Sequence, residues 1–318
     1  MRLLTRSDFD GLMCAVLLKE LDLFDDKKFV HPKDIQDGTI EVNSNDILVN
    51  IPYAPGCGMW FDHHTSEDAR GLMHQYKYVG ASWPAPSCAR VIYEYYGGAK
   101  GRLVRFDGMV ADADKCDSAH FSREEVLDPQ GMVLLSFIMD PRTGFGRYRD
   151  FRISNYQLMD CLIDHLLVMP IDEIMQLEDL QERARLYEAH REPFEKMMRD
   201  HSRAEGAAVV TDLRGIDETY VGNRHIIYAL YPDQNVSVRV FDGREGKNCV
   251  FSVGYSILNR TATVDVGKLM LKYGGGGHRR VGTCQVPFED ADRVLNEILE
   301  EINSQNWQML NIAGLEEF

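Results

Sequence analysis

The chain has 318 residues, enough for two domains with separate cores, and its 44% hydrophobic content excludes a disordered protein. Fifty acidic against 35 basic side chains leave a net charge of −15, which disfavours partners held along their phosphates, long duplex nucleic acid above all. No apolar run approaches a bilayer-spanning length, and the start, MRLLTRSDFD, carries acids where a signal peptide needs an apolar stretch; the expectation is a cytoplasmic protein with no membrane partner.

From residue 1 to 168, strand-like and helix-like patterns take turns: MRLLT, GLMCAVLLKELDLF, DILVNIPY, MWFDHH, PSCARVIYEYYGG and FDGMVADADKCDS. That alternation predicts an α/β domain built on a parallel sheet. Residues 169–205 include IDEIMQLEDLQERARLYEAHREPFEKMMRDHSR, charged, helical in spacing and free of glycine, and read as long helices joining the domains, with Pro193 as an expected kink. Residues 206–318 form a smaller α+β domain. Its runs AAVVTDL, HIIYALY, VSVRVF and NCVFSVGYSI read as strands, followed by a helix at VDVGKLMLKY, a glycine run and a closing amphipathic helix at VLNEILEEINSQNW. Seven scattered cysteines without a CxxC pair argue against a disulfide framework and a thiolate zinc site.

Polar groups gather where the strands of the first domain should end. Asp8 and Asp10, spaced i and i+2 in an extended segment, point the same way. The strand MWF ends in Asp62, His63 and His64, at the carboxyl edge where open α/β sheets bind ligands. GMV is expected to end in a turn carrying Asp112 and Asp114. Carboxylates with one or two imidazoles converging on one rim suit Mn²⁺ or Mg²⁺. The plainer alternative for Ser7 or Asp8 is a helix cap. Asp114 and Asp117 read as a solvated turn.

Two further stretches carry positive or anion-seeking groups. Gly274 to Gly277 exceed what a helix stop needs, and Gly275, Gly276 and Gly277 with His278, Arg279 and Arg280 suit an anion approaching the backbone. PRTGFGRYRDFRIS interleaves Arg142, Arg147, Arg149 and Arg152 with Phe145, Tyr148 and Phe151. It reads either as a loop that grips phosphate and stacks on a base, or as a solvated loop over a domain junction.

Through these motifs the sequence resembles the DHH phosphoesterase family, which includes RecJ-type exonucleases, nanoRNases, cyclic-dinucleotide phosphodiesterases, exopolyphosphatases and manganese pyrophosphatases. Asp8 and Asp10 match the first motif, Asp62, His63 and His64 the triplet that names the family, Asp112 a later acidic motif, and GGGGH at 274–278 the associated C-terminal domain. The resemblance implies a metal-dependent phosphohydrolase with one or two Mn²⁺ or Mg²⁺ ions, Asp8 on the first and Asp10, His63 and Asp112 on the second, with Asn50 touching either. It further implies that His64 faces the substrate as donor or acid, that Asp62 orients His63, and that Gly275, Gly276, Gly277 and His278 hold a short phosphorylated substrate in a cleft between domains; the charge of Arg279, and Arg142 and Arg147 if their loop grips phosphate, would add to those contacts. That substrate is a short oligonucleotide, a cyclic dinucleotide or polyphosphate. Two departures stand out: Leu4 where many members carry histidine, and Asn50 where an aspartate usually bridges two metals. They lower the negative charge available for a second ion. The competing reading is a nucleotide-sensing protein with a degenerate metal site. Assembly as a homodimer is left open.

Overall fold

Five short strands, β1 (Arg2–Arg6), β2 (Asp26–Val30), β3 (Asp46–Val49), β4 (Met59–Asp62) and β5 (Val79–Ser82), pair in parallel in the order β2-β1-β3-β4-β5. The computed structural model describes residues 1–64, 77–217, 220–243 and 246–313, so Thr65 and Ser66 after the histidine pair lie outside it. β3 is buried at every residue, as expected of a parallel strand covered on both faces. One face packs Leu4, Leu48 and Trp60 with Val30, Ile35 and Ile51, and the Trp60 indole donates to the Ile51 carbonyl at 2.9 Å.

The first helix, α1 (Phe9–Glu20), follows β1 directly and is buried at every position from Phe9 to Leu18. A helix apolar all round belongs inside a protein. Further helices are α2 (Pro32–Gln36), α3 (Cys88–Tyr95), α4 (Asp107–Asp117), α5 (Arg123–Leu127), α6 (Gly131–Met139), α7 (Asn155–Val168), α8 (Ile171–Ile174) and α9 (Glu178–Asp200). Helix α1 packs against α3, α4 and α7, which places its first turn under the carboxyl edge of the sheet. Pro193 lies inside α9.

The second sheet is mixed, in the order β10 (Gly276–His278), β11 (Val281–Val286), β9 (Cys249–Tyr255), β8 (Val236–Asp242), β7 (Ala208–Leu213) and β6 (Ser202–Glu205). Alternate residues of β8 and β9, such as Val238, Val240, Phe251 and Val253, face a core closed by α11 (Val266–Leu271) and by Val294, Leu295, Ile298 and Ile302 of α12 (Ala291–Ala313). The chain divides into two compact units: residues 1–121 with 128–187, and residues 122–127 with 188–318. The division therefore falls inside α9, where the sequence suggests a separate linker. No helix among the described residues is long and apolar enough to cross a membrane, and none of the seven cysteines forms a disulfide.

Two expected elements change type. GMV does not end in a turn: Asp107–Asp117 is helical, with Val110 and Ala113 buried one turn apart. HIIYALY is not a strand; Ile226–Leu230 is the short buried helix α10. Runs this short and apolar carry no periodicity that separates helix from strand.

Gly11 explains how α1 can start so close to β1. A Cβ there would collide with the Arg6 carbonyl oxygen and crowd the Thr5 hydroxyl. Gly to Ala inside a helix ordinarily stabilises by roughly 0.5–1 kcal/mol. Here Gly11→Ala is expected to destabilise, by about 1–3 kcal/mol as overpacking does. A fall in Tm on thermal denaturation checks the reversed sign, and a rise would contradict the close approach.

Candidate active site

Asp10 lies in the first turn of α1 and is 1% exposed. Its carboxylate accepts the backbone N–H groups of Cys88 at 2.8 Å and Ala89 at 2.9 Å, the first residues of α3. A helix N-terminus directs unpaired N–H groups and a positive dipole end at such an anion. Ser87 caps that helix by accepting from the Arg90 backbone N–H, and its hydroxyl donates to Asp114 at 2.7 Å. Arg90 adds an ion pair to the same Asp114. Asp114 thus anchors α3 to α4 and is not a solvated turn.

His63 extends from the end of β4 with its side chain 8% exposed. Its Nδ1 lies 3.0 Å from the Ala85 carbonyl, which assigns the proton to Nδ1 and leaves the Nε2 lone pair inward. Nε2 is buried without a hydrogen-bond partner, 3.7 Å from Asp10 and 3.4 Å from Asp117. Ligand atoms of Asp10, His63 and Asp117 all lie within 4.8 Å of one another. Burial pushes the Asp10 carboxyl up against the pull of His63. Asp117, a third exposed, is pushed up to about 7, first by burial and next by the Asp10 charge. Two carboxylates crowded around a buried imidazole nitrogen that has no hydrogen-bond partner form a donor set that accepts a divalent cation.

Asp8 caps α1 by accepting from the Gly11 backbone N–H, pairs with Arg6 at 2.9 Å and accepts the Asn50 amide Nδ2 at 3.1 Å. Asn50 follows β3 in a left-handed conformation, φ 57°, which asparagine tolerates better than most residues. Its Oδ1 is buried without a partner. Leu4 packs into the core beside Leu48 and Trp60, so its side chain belongs to the hydrophobic cluster.

Several expected placements differ. Asp112 is not brought to the group: it lies five residues before Asp117, about 140° around the helix, and lines a separate hollow with Arg105, Met109 and Met132. Asp117, which the sequence reads as solvated, stands there instead. A helical reading of DADKCD supplies the signal, because Asp114 and Asp117 are then one turn apart. Asp62, 1% exposed, does not orient His63; its Oδ1 lies 2.8 Å from Nδ1 of His64. Burial alone would lower the His64 imidazole, but the hydrogen bond and charge of Asp62 hold its pKa above the ordinary value.

Arg142 is gripped by both oxygens of Asp140, while the negative charges of Asp8 and Asp117 also reach it. Arg147 folds over Gly144. In the second unit, Gly276, Gly277 and His278 pair with β11 as strand β10. Side chains at Gly275 and Gly277 would strike β11, so those glycines serve a close backbone approach, whereas His278 and Arg279 are exposed.

No family model matches this sequence, and no curated protein does. Among solved structures, the chain is 47% identical to the pGpG-specific phosphodiesterase PggH from Vibrio cholerae, with a TM-score of 0.81, over 95% of this chain and 99% of that one. The fold is shared at 14% identity by a DHH domain from a member of a ribosomal-protein family, TM-score 0.56 over 95% of this chain and 86% of that one. It is shared at 15% by RecJ from Thermus thermophilus in complex with Mn²⁺, TM-score 0.51 over 94% of this chain and 51% of that one. The fold and site define a phosphoesterase. The chain belongs to the DHH phosphoesterase family.

The geometry separates two aspartates on one helix. Mn²⁺ should raise the Tm of the wild type, as any ligand of the folded state does. Asp117→Asn and His63→Ala should abolish most of that rise and Asp112→Asn should retain it. Differential scanning fluorimetry with and without Mn²⁺ decides, and a loss confined to Asp112→Asn would return the ligand role to that residue.

Proposed function

We propose that this protein is a divalent-metal-dependent phosphodiesterase that hydrolyses pGpG to mononucleotides. The observation that carries the substrate is its likeness, along nearly all of both chains, to a protein described as pGpG-specific. Asp10, His63 and Asp117 would hold the ion, with Asp8 beside them, and Mn²⁺ and Mg²⁺ both suit oxygen donors with one imidazole. Such an ion supplies Lewis-acid activation of water and offsets charge on the phosphoryl oxygens.

The chain's own residues do the rest. The Ala85 carbonyl and the N-terminus of α3 fix His63 and Asp10 before substrate arrives, so neither side chain must reorganise during reaction. His64, held by Asp62 at Nδ1, keeps Nε2 for the substrate. The Asp62 hydrogen bond and charge raise its pKa and so stabilise the protonated form, the form that would donate to the leaving ribose oxygen as the P–O bond breaks. Arg6, paired with Asp8, and Arg142 bring positive charge to a site otherwise crowded with acids. His278 and Arg279 of the second unit are retained in this reading as substrate contacts.

His64→Gln should keep the Mn²⁺-induced rise in Tm and lower kcat on pGpG by roughly 10²-fold or more, the usual contribution of a positioned acid. His63→Ala should lose both. Chromatographic separation of pGpG from GMP measures the rates. Tight binding of pGpG by the wild type without turnover would favour a sensing protein over an enzyme.

A further inference from the structure

A hollow of about 300 Å³ opens beside the acidic group, within the first unit. Ser7, the residue before Asp8, lines one wall, and Asp140, which grips Arg142, lines another, so the hollow adjoins the site already described. Its volume is at the lower end of the roughly 300–1,000 Å³ typical of small-molecule sites. Phe145, Tyr148, Phe151 and Tyr156 supply ring surface, and Arg149 and Asn155 supply hydrogen-bond donors.

This wall is held in place from behind. Arg183, on α9, is fully buried. Its guanidinium lies 4.2 Å from the centroid of Phe151 and donates to the carbonyls of Ile153 and Asp179. Its Nε donates to Asn155 Oδ1 at 3.0 Å. Asn155 therefore offers its Nδ2 as the end still able to donate. Phe151 in turn packs against Phe145 and Tyr148, with centroids 6.2 and 6.4 Å away, and Tyr156 stacks on Phe29 at 6.0 Å. A buried cation spends its donors fixing one ring and one amide that both face the same hollow. A solvated loop has no physical need of such support.

We propose that this hollow seats the nucleobase of the nucleotide whose phosphate lies at the acidic group, and that its donors favour guanine. The proposal rests on the phosphodiesterase reading above. Aromatic faces accept any base by stacking. Selection among bases then falls to the edge, where guanine presents O6 and N7 as paired acceptors, and an arginine guanidinium is the usual match to them. Adenine presents an amino donor in place of O6 and would meet Arg149 donor to donor.

Isothermal titration of the full chain with Mn²⁺ tests this without turnover, using GMP, AMP and ribose 5-phosphate as ligands. The wild type should bind GMP at least about tenfold tighter than ribose 5-phosphate, the scale of one base–aromatic stack, and tighter than AMP. Tyr148→Ala should shrink the ratio of GMP to ribose 5-phosphate affinity, and Arg149→Ala should remove the preference for GMP over AMP. Melting temperatures identify any variant that fails to fold, and the wild-type ratios decide the matter in that case. Equal affinity of the wild type for GMP and ribose 5-phosphate overturns the proposal, as does an equal loss for both ligands in the two folded variants. A wild type that discriminates GMP yet leaves pGpG intact would sink the phosphodiesterase reading while upholding the base site. Cleavage of pGpG without any base dependence would do the reverse.

Discussion

The burial of the Asp10 carboxylate against the N-terminus of α3 is the constraint on which the first unit's site depends. A carboxylate 1% exposed is costly unless its charge is met, and here two backbone N–H groups meet it directly. That arrangement fixes the start of α1 against the start of α3. It therefore also fixes the loop between β5 and α3, whose Ala85 carbonyl sets the tautomer of His63. The Ser87 cap and the Arg90–Asp114 pair carry the same constraint on to α4 and hence to Asp117. Three candidate ligand atoms from three separate segments are gathered by a single helix terminus, and the crowding of charge they create is what a divalent ion would relieve.

Much of this is legible in the residues. Three of the five strands in the first unit's sheet follow from MRLLT, DILV and MWF, while β2 and β5 carry no such run, and Asp10 and His63 are visible as acids and imidazoles that directly follow apolar runs. What the sequence misassigns lies along α4. GMV resembles a strand end because three apolar or small residues precede acids, and a strand end would present Asp112 and Asp114 upward. The helix turns that sequence through 100° per residue instead, burying Val110 and Ala113 and carrying Asp117 to the site. The exchange of partners between the two histidines has no sequence signal at all. Whether Asp62 reaches the ring next to it or the one after depends on where the strand stops pairing, and β4 ends at Asp62 itself.

The glycine run shows the same limit from the other side. Four glycines in a row suggest an anion cradle, yet two of them are required because β11 passes too close for any side chain. One glycine-rich run can thus carry a packing requirement and exposed polar residues at once, and His278 and Arg279 are the parts of it that face solvent.

Asn50 draws these threads together. A carboxylate at this position, beside Asp8, would add a further charge next to a cluster in which burial already drives Asp10 and Asp117 up. The amide instead donates a hydrogen bond to Asp8 without adding charge, and Arg6 supplies the opposite charge in its ion pair with Asp8. Fewer net negative charges at the rim weaken the case for two ions and at the same time lower the repulsion that an anionic substrate meets on a chain of net charge −15. The surrounding arginines act in the same direction: Arg6 and Arg142 beside the acids, Arg149 on the wall of the adjoining hollow. In this chain the local field at the site is set by neutral and basic residues placed among acids, and that balance is compatible with a small phosphorylated ligand where the surface as a whole would turn a long polyanion away.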